Sequence, residues 1–299
     1  MTAIQKIAVF GAAGNFGVPI TDALLSAGYQ VTAISRLESA STFPPAVSVI
    51  KSDYTVDNLT KALNGQDAAV CVVGPGAMSS HMAMIDASLA AGLKRFIIND
   101  FGWGPDFEGE PEFQEIKQRR LVAWDHAMKL ASSNPTFTWT GITIGNPIDW
   151  ALPRFGLMGF NLKQHSAVIY DQGSEDFTGT TLEGIGQAVV GIFQNPEATA
   201  NRFVKVRSIQ TCQKQLLEAF QKATGKDWEV RNSTTAELAE SGRRKHKAGT
   251  AGWVLDLLVF QLFEPGKGRC IVATSQDSDN TLLGVREETP LEVVSKALN

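Results

Sequence analysis

Two rhythms of apolar and polar positions alternate through the first half of the chain. Runs at 6–10, 30–35, 47–51, 68–73, 95–99 and 138–144 are apolar or β-branched and too short for helices, so they predict buried strands. Between them, the patterns at 15–27, 56–63, 79–91 and 111–132 predict helices. Gly28 and Gly92 close two of these helices. Pro111 opens the last, where its missing N–H costs nothing. Strands separated so regularly by helices imply right-handed βαβ units. The predicted fold class is α/β, a Rossmann-type doubly wound parallel sheet.

The rhythm changes after Gly145. Residues 146–160 are rich in Gly, Pro and aromatics, and helical patterns follow at 182–194, 211–224, 234–247 and 252–263. Short strands are expected at 203–207 and 270–274. This predicts a sheet domain over 1–145 and a smaller C-terminal lobe over 146–299, with the chain crossing back to the sheet.

Composition narrows the function classes. A chain of 299 residues, 43% of them hydrophobic, can bury one large α/β core or two unequal lobes. The 27 basic against 31 acidic residues give a net charge of -4, which argues against nucleic acid as a partner. Cys71, Cys212 and Cys270 lie far apart and suggest neither a disulfide framework nor a cysteine metal site. His81, His126, His165 and His246 form no metal-ligand spacing, so no metal is expected. A membrane span needs about 20 apolar residues. The run at 7–10 is also shorter than a signal-peptide core, and 252–263 is broken by Asp256 and Gln261. The expectation is a soluble, cytoplasmic monomer or homodimer whose partner is a small-molecule substrate.

The first strand runs straight into Gly11-Ala12-Ala13-Gly14-Asn15-Phe16-Gly17 and then a helix. Three glycines in a loop are weak evidence alone. Between a strand and a helix they permit a tight turn, and the helix N-terminus offers free N–H groups to a pyrophosphate. Strand two ends in Ser35-Arg36, where an NAD site usually keeps an acid. A serine hydroxyl and a guanidinium fork suit a 2′-phosphate, which points to NADPH/NADP. A solvated surface arginine is the competing reading of Arg36, and Glu38 sits two residues on. Asp53 either contacts the adenine or caps the next helix, and Gly74 either passes under the cofactor or only turns the chain.

A Tyr-x-x-x-Lys pair is missing, because none of Tyr29, Tyr54 and Tyr170 has a lysine four residues later. The spacing survives as Phe113 and Lys117. Phe113, Lys117, Leu121, Trp124 and Met128 share one helical face, so Lys117 sits in an apolar stripe with no counter-ion there. It either snorkels to water or finds a partner outside its helix, such as the nicotinamide ribose. Trp103, Asn146, Trp150 and Phe155 lie on or after loops at the strand ends, where such sheets bind ligands. Each aromatic is a pocket wall or plain core.

Together these residues resemble the NmrA-like, isoflavone-reductase-like family of atypical short-chain dehydrogenases. The group includes the phenylcoumaran benzylic ether, pinoresinol–lariciresinol and isoflavone reductases. The resemblance rests on Gly11-x-x-Gly14-x-x-Gly17, Ser35-Arg36 and the stretch 82–96. It continues into Asn99-Asp100-Phe101-Gly102, where the plant enzymes have Ser-Glu-Phe-Gly, and Lys117 falls where the family keeps its catalytic lysine. It is clear over about residues 5–150 and looser through Asn195-Pro196-Glu197 and Ala223-Thr224-Gly225-Lys226. Gly145-Asn146-Pro147-Ile148-Asp149-Trp150 is nearer to fungal relatives than to plant enzymes. The resemblance implies an NADPH-dependent reductase of a small aromatic or conjugated metabolite, with the cofactor on 1–145 and substrate in the lobe. Two other readings stay open: a non-catalytic NADP(H)-sensing regulator of the NmrA type, and a quinone reductase.

Overall fold

The computed structural model describes residues 4–298, so the outer ends of the expected division, 1–3 and 299, lie outside it. The first half builds β1 (Lys6–Phe10), α1 (Gly17–Ser26), β2 (Gln30–Arg36), β3 (Ser48–Ser52), α2 (Val56–Ala62) and β4 (Ala68–Cys71). It continues with α3 (His81–Ala90), β5 (Arg95–Gly102), α4 (Gln114–Ser133) and β6 (Thr138–Thr143). Single 3-10 turns at Pro75–Ser80 and Pro111–Phe113 lead into α3 and α4. The second half builds α5 (Ile148–Ala151), β7 (Phe160–Asn161), β8 (Ser166–Tyr170), β9 (Phe177–Gly179), α6 (Leu182–Gln194) and β10 (Arg202–Lys205). Then come β11 (Ile209–Thr211), α7 (Gln213–Thr224), β12 (Glu229–Ser233), α8 (Thr235–Lys247), α9 (Trp253–Phe263), α10 (Asn280–Leu283) and α11 (Pro290–Leu298).

The central sheet has seven parallel strands in the order β10-β6-β5-β4-β1-β2-β3. Both faces are covered, which is why its strands read as continuous apolar runs. One face packs on α1 and α6 through Ile7, Val9, Ile20, Ile97 and Ile185. The other packs on α2, α3 and α4 through Phe10, Leu59, Met84, Phe96 and Trp124. The order reverses between β1 and β4, so a crevice opens there at the strands' C-terminal ends.

The chain crosses back to this sheet as α6 and β10. Gly186 allows the approach of α6 to α1, since a Cβ there would lie 2.8 Å from that of Ala23. The return turn is pinned by Arg95, which is buried yet fully bonded. It donates to Thr138 Oγ1 at 2.7 Å, to Thr140 and Thr199 Oγ1 at 3.0 Å each, and to Pro196 O. A buried cation is tolerable only with its donors satisfied in this way.

The remainder forms a second core around Phe160, Phe177, Phe220, Leu257 and Val293, with a small β12-β8-β7 sheet and a β11-β9 pair. The strand expected at 270–274 is irregular backbone instead. Two of its hydrogen bonds go to Thr178, with Cys270 O accepting from Thr178 N at 3.0 Å and Val272 N donating to Thr178 Oγ1 at 3.0 Å, and others close local turns, such as Ile271 N to Gly268 O at 3.1 Å. No ladder strand is left for it to join. The helix expected from 211 starts at Gln213, because Thr211 belongs to β11.

Candidate active site

The glycine loop is fixed by close approach as much as by dihedral freedom. Gly11 has φ +82°, and a Cβ there would collide with Val72 O. Gly14 N donates to Gly11 O at 2.9 Å. A Cβ on Gly17 would collide with Gly11 O and lie 2.8 Å from the Ala12 backbone. Helix α1 begins there with no capping side chain and no acid in its first turn. Val18 N is already bonded to Gly14 O at 3.0 Å, Ile20 N to Phe16 O at 3.1 Å, and Pro19 has no N–H, so the helix start offers an anion chiefly its dipole.

A cleft of about 370 Å³ follows. Gly11, Gly14, Ser35, Arg36 and Gly74 all line it, as do Ser39 and Ser41, which the sequence reading did not single out. Arg36 stands 65% exposed, its Nε 3.7 Å from Glu38 Oε1, a loose pair that leaves the fork available. Lys51 Nζ donates to Ser39 O at 2.9 Å and Ser39 Oγ to Ser41 Oγ at 3.1 Å, which stiffens that wall. Asn15, Phe16 and Gly17 do not line the cleft. Gly17 acts underneath, through the loop's shape.

Asp53 is not among the residues that line the cleft, and its bonds are local. Its carboxylate takes Thr55 N at 3.1 Å, Thr55 Oγ1 at 2.8 Å and Asn58 Nδ2 at 3.0 Å. These bonds hold its carboxyl below the usual range. Of the two readings open for it, the start of α2 uses it.

The other end is aromatic. Trp103 stacks on Phe107 with centroids 5.3 Å apart, and Trp150 meets Phe155 edge-on at 5.2 Å. Phe16 joins this set, at 5.8 Å from Trp150 and 6.4 Å from Phe101. The Arg154 guanidinium lies 5.3 Å over the Trp150 ring. Trp103, Trp150 and Phe155 are half-buried and pack against the second core. Three buried polar atoms here have no partner: Asn146 Oδ1, Trp150 Nε1 and Thr143 Oγ1. Unpaired buried polar atoms are costly unless something else completes them.

Lys117 is half-buried on α4 and finds its partner off the helix. Its Nζ donates to Phe107 O at 3.2 Å, across the loop that follows β5. Beneath it lies a cluster that sequence reasoning missed. Asp100 is 1% exposed and neither carboxylate oxygen is hydrogen-bonded. Arg120 Nη1 stops 3.9 Å short. Burial pushes the Asp100 carboxyl up to about 7, with the Arg120 charge opposing. Burial, helped by Arg120, pushes buried His81 down to about 4. His81 Nε2 lies 3.2 Å from Asn99 Nδ2, which donates to Val73 O at 2.9 Å. The signal was present: Asn99-Asp100 is a polar pair ending an apolar strand, and such a pair at a sheet's C-terminal edge is a site candidate.

A family of NAD(P)H-binding domains matches residues 11–196. The chain belongs to this NAD(P)H-binding oxidoreductase family. Oxidoreductase poxI of Penicillium oxalicum is 54% identical over 294 residues, covering 98% of this chain and 94% of that protein. Oxidoreductase aprR of Aspergillus flavus is 33% identical over 230 residues, 75% of this chain and 76% of that one. In fold, the chain matches the structure of AtPrR2 with NADP+ and (+)pinoresinol at a TM-score of 0.78. That match has 16% identity and covers 98% of this chain and 99% of the other. The fold therefore agrees with the resemblance read from the glycine loop and the Lys117 helix. Among the described residues, no helix is long and apolar enough to cross a membrane, and no group of three or more His, Cys, Asp or Glu is arranged to hold a metal.

Proposed function

We propose that this family member is an NADPH-dependent reductase acting on a small aromatic or conjugated metabolite of the enone, benzylic or quinone-like kind, in secondary metabolism. The observation that carries the reading is Lys117, an amine held by Phe107 O at 3.2 Å beside the aromatic set. A sensor of cofactor alone has no use for an amine placed there. The oxidoreductase names of poxI and aprR, and the NADP+ in AtPrR2, support the same reading.

When bound, the cofactor supplies hydride. The backbone at Gly11 and Gly14 would hold its pyrophosphate, Ser35 and Arg36 a 2′-phosphate, and Gly74 would leave room along the chain. Lys117 holds a proton at Nζ, orients the ribose and relays that proton toward the substrate. Trp103, Trp150 and Phe155 stack against a flat substrate and exclude water, while Asn146 Oδ1 and Trp150 Nε1 offer it an acceptor and a donor.

Lys117→Met tests this. NADPH binding should weaken only modestly, and turnover should fall by roughly 10²-fold or more. Lys117→Arg should not rescue, because a guanidinium stays protonated and has another shape. Wild-type turnover in Lys117→Met would overturn the role. A wild-type protein that binds NADPH but reduces nothing in a broad metabolite screen would make it a cofactor-sensing regulator.

A further inference from the structure

The carbonyl that holds Lys117 belongs to a loop, 103–110, that carries two glycines and would not keep one position unaided. Gly104 has φ +79° and sits against Thr143, where a Cβ would collide with the side-chain hydroxyl. Farther along, Asp106 Oδ2 takes Lys205 Nζ at 3.0 Å, a pair whose carboxylate is 75% exposed and so contributes little. The firm anchor is Glu110, three residues past Phe107. Its side chain is 10% exposed. Oε2 takes Arg243 Nη2 at 2.5 Å and Oε1 takes Arg269 Nη1 at 2.8 Å. Its own N–H donates to Gln261 Oε1 at 2.6 Å. Both guanidinium groups lie 5.7 Å over the Phe260 ring, which aligns them. Arg243 also reaches Glu112 at 3.3 Å, and Arg269 is held from behind by Glu264. Burial pushes the Glu110 carboxyl up, but the bonds from Arg269 and Arg243 together outweigh it and hold the group below its usual range.

Three separate segments thus converge on one residue at the far end of the loop from β5, α8 and the turn after α9 on its carboxylate and α9 on its N–H. We infer that Glu110 is a positioning residue: clamped by Arg243 and Arg269, it fixes loop 103–110 so that Phe107 O holds Lys117 in place. The inference rests on the reading that Lys117 serves the reaction. The clamp sits in the second lobe and the lysine on the sheet domain, so the contact makes the lysine's position depend on how the α8–α9 pair is seated. It also explains why a loop with two glycines is ordered by charge-assisted bonds, the stronger kind, rather than by apolar contacts alone.

The test compares Glu110→Gln with Lys117→Met, singly and combined. Glutamine keeps size and the backbone bond to Gln261, and removes the charge. Glu110→Gln should lower kcat by about 5- to 10-fold while the NADPH Kd stays within about 2-fold, the pattern of a group acting only in turnover. Hydrogen exchange should rise in 103–110. In the Lys117→Met background the same change should leave kcat where it was, because groups acting through one another are non-additive. Arg243→Gln, at a half-exposed position, should repeat the split more weakly and covers the case in which Glu110→Gln fails to fold. Unchanged kcat in Glu110→Gln and Arg243→Gln, with Lys117→Met still inactive, would overturn this inference and leave the reading of Lys117 standing. An additive loss in the double variant would mean a merely structural role. A Lys117→Met protein with full turnover would remove the underlying reading instead.

Discussion

The two ends of the crevice are built from different materials. The end over β1, β2 and β4 is an open cleft of about 370 Å³ lined mostly by backbone and small side chains, with Phe43 and Tyr54 as its two rings. Its one long charged arm, Arg36, is 65% exposed. The end beside β5 carries large rings in two groups, Trp103 on Phe107 and Trp150 between Phe16 and Phe155. Its polar atoms include three without partners, and its loop is tied down by Glu110. The first end tolerates no added atom at Gly11 or Gly17, and the second depends on atoms already there. A site that binds the same cofactor in every family member can be written in backbone geometry, while a site that chooses a substrate must be written in side chains.

The largest effect should follow from adding one methyl to the first end. In Gly17→Ala the new Cβ meets Gly11 O and the Ala12 backbone, neither of which is a flexible tip. The loop must move, and overpacking of this kind costs about 1–3 kcal/mol. NADPH affinity measured by calorimetry should fall by about 5- to 150-fold, the range those energies imply. Wild-type affinity would show that the loop's shape does not set the site.

Removing atoms from the second end should act on the substrate. Trp150→Ala deletes the ring that touches Phe16 and Phe155 and carries Arg154. It should lower kcat/KM by about tenfold or more, about 1.4 kcal/mol, with NADPH affinity nearly kept. If circular dichroism shows an unfolded chain instead, Trp150 is core and the wall assignment fails.

The same contrast decides what was legible in the sequence. The glycine spacing, the strand before it and the helix after it are local, and the pattern gave β1 as Lys6–Phe10 to the residue. Ser35, Arg36 and Gly74 sit at strand ends, so the alternation of elements placed them in the cleft. Helix α6, strongly amphipathic, was legible as Leu182–Gln194. The lobe's small sheet was not. β7 has two residues, and β12 pairs with β8 across more than 60 positions of sequence, which no local period encodes. Asp53 stays open between two readings in the sequence because an acid after a strand serves caps and cofactors equally. The Glu110 clamp joins residues 133 and 159 positions apart, and the pair Asn99-Asp100 marks a place in the sequence without showing that its carboxylate is buried.

A smaller effect concerns the exposed arm of the first end. If Arg36 reads a 2′-phosphate, NADPH should bind at least about tenfold tighter than NADH, about 1.4 kcal/mol. Arg36→Ala should erase most of that gap and leave NADH affinity alone. Equal affinity of the wild type for both cofactors would transfer the role to Glu38, which already lies 3.7 Å from the guanidinium and would accept from a ribose hydroxyl.

The last effect is in the pH dependence of stability, where two opposed slopes leave the wild type the smallest net change. Burial raises the Asp100 carboxyl from 3.8 to about 7. Its contribution to stability is therefore complete below pH 3.8 and is lost as pH rises through about 7. Burial lowers His81 from 6.5 to about 4, so its contribution is complete above pH 6.5 and is lost as pH falls through about 4. The two slopes oppose each other over the same window. At 1.36 kcal/mol per pKa unit, they amount to at most about 4 and about 3 kcal/mol. In the wild type they nearly cancel, and each variant uncovers the partner's slope. Relative to wild type, the Tm of Asp100→Asn should climb as pH rises from 4 to 7. The Tm of His81→Gln, which keeps an acceptor for Asn99, should decline against wild type between pH 4 and 6.5. Carboxylates elsewhere, such as Glu110 and Asp67, tilt all three curves alike, so the differences carry the result. Parallel curves for Asp100→Asn and wild type would mean that Arg120 closes its 3.9 Å gap in solution and keeps Asp100 an ordinary ionised partner.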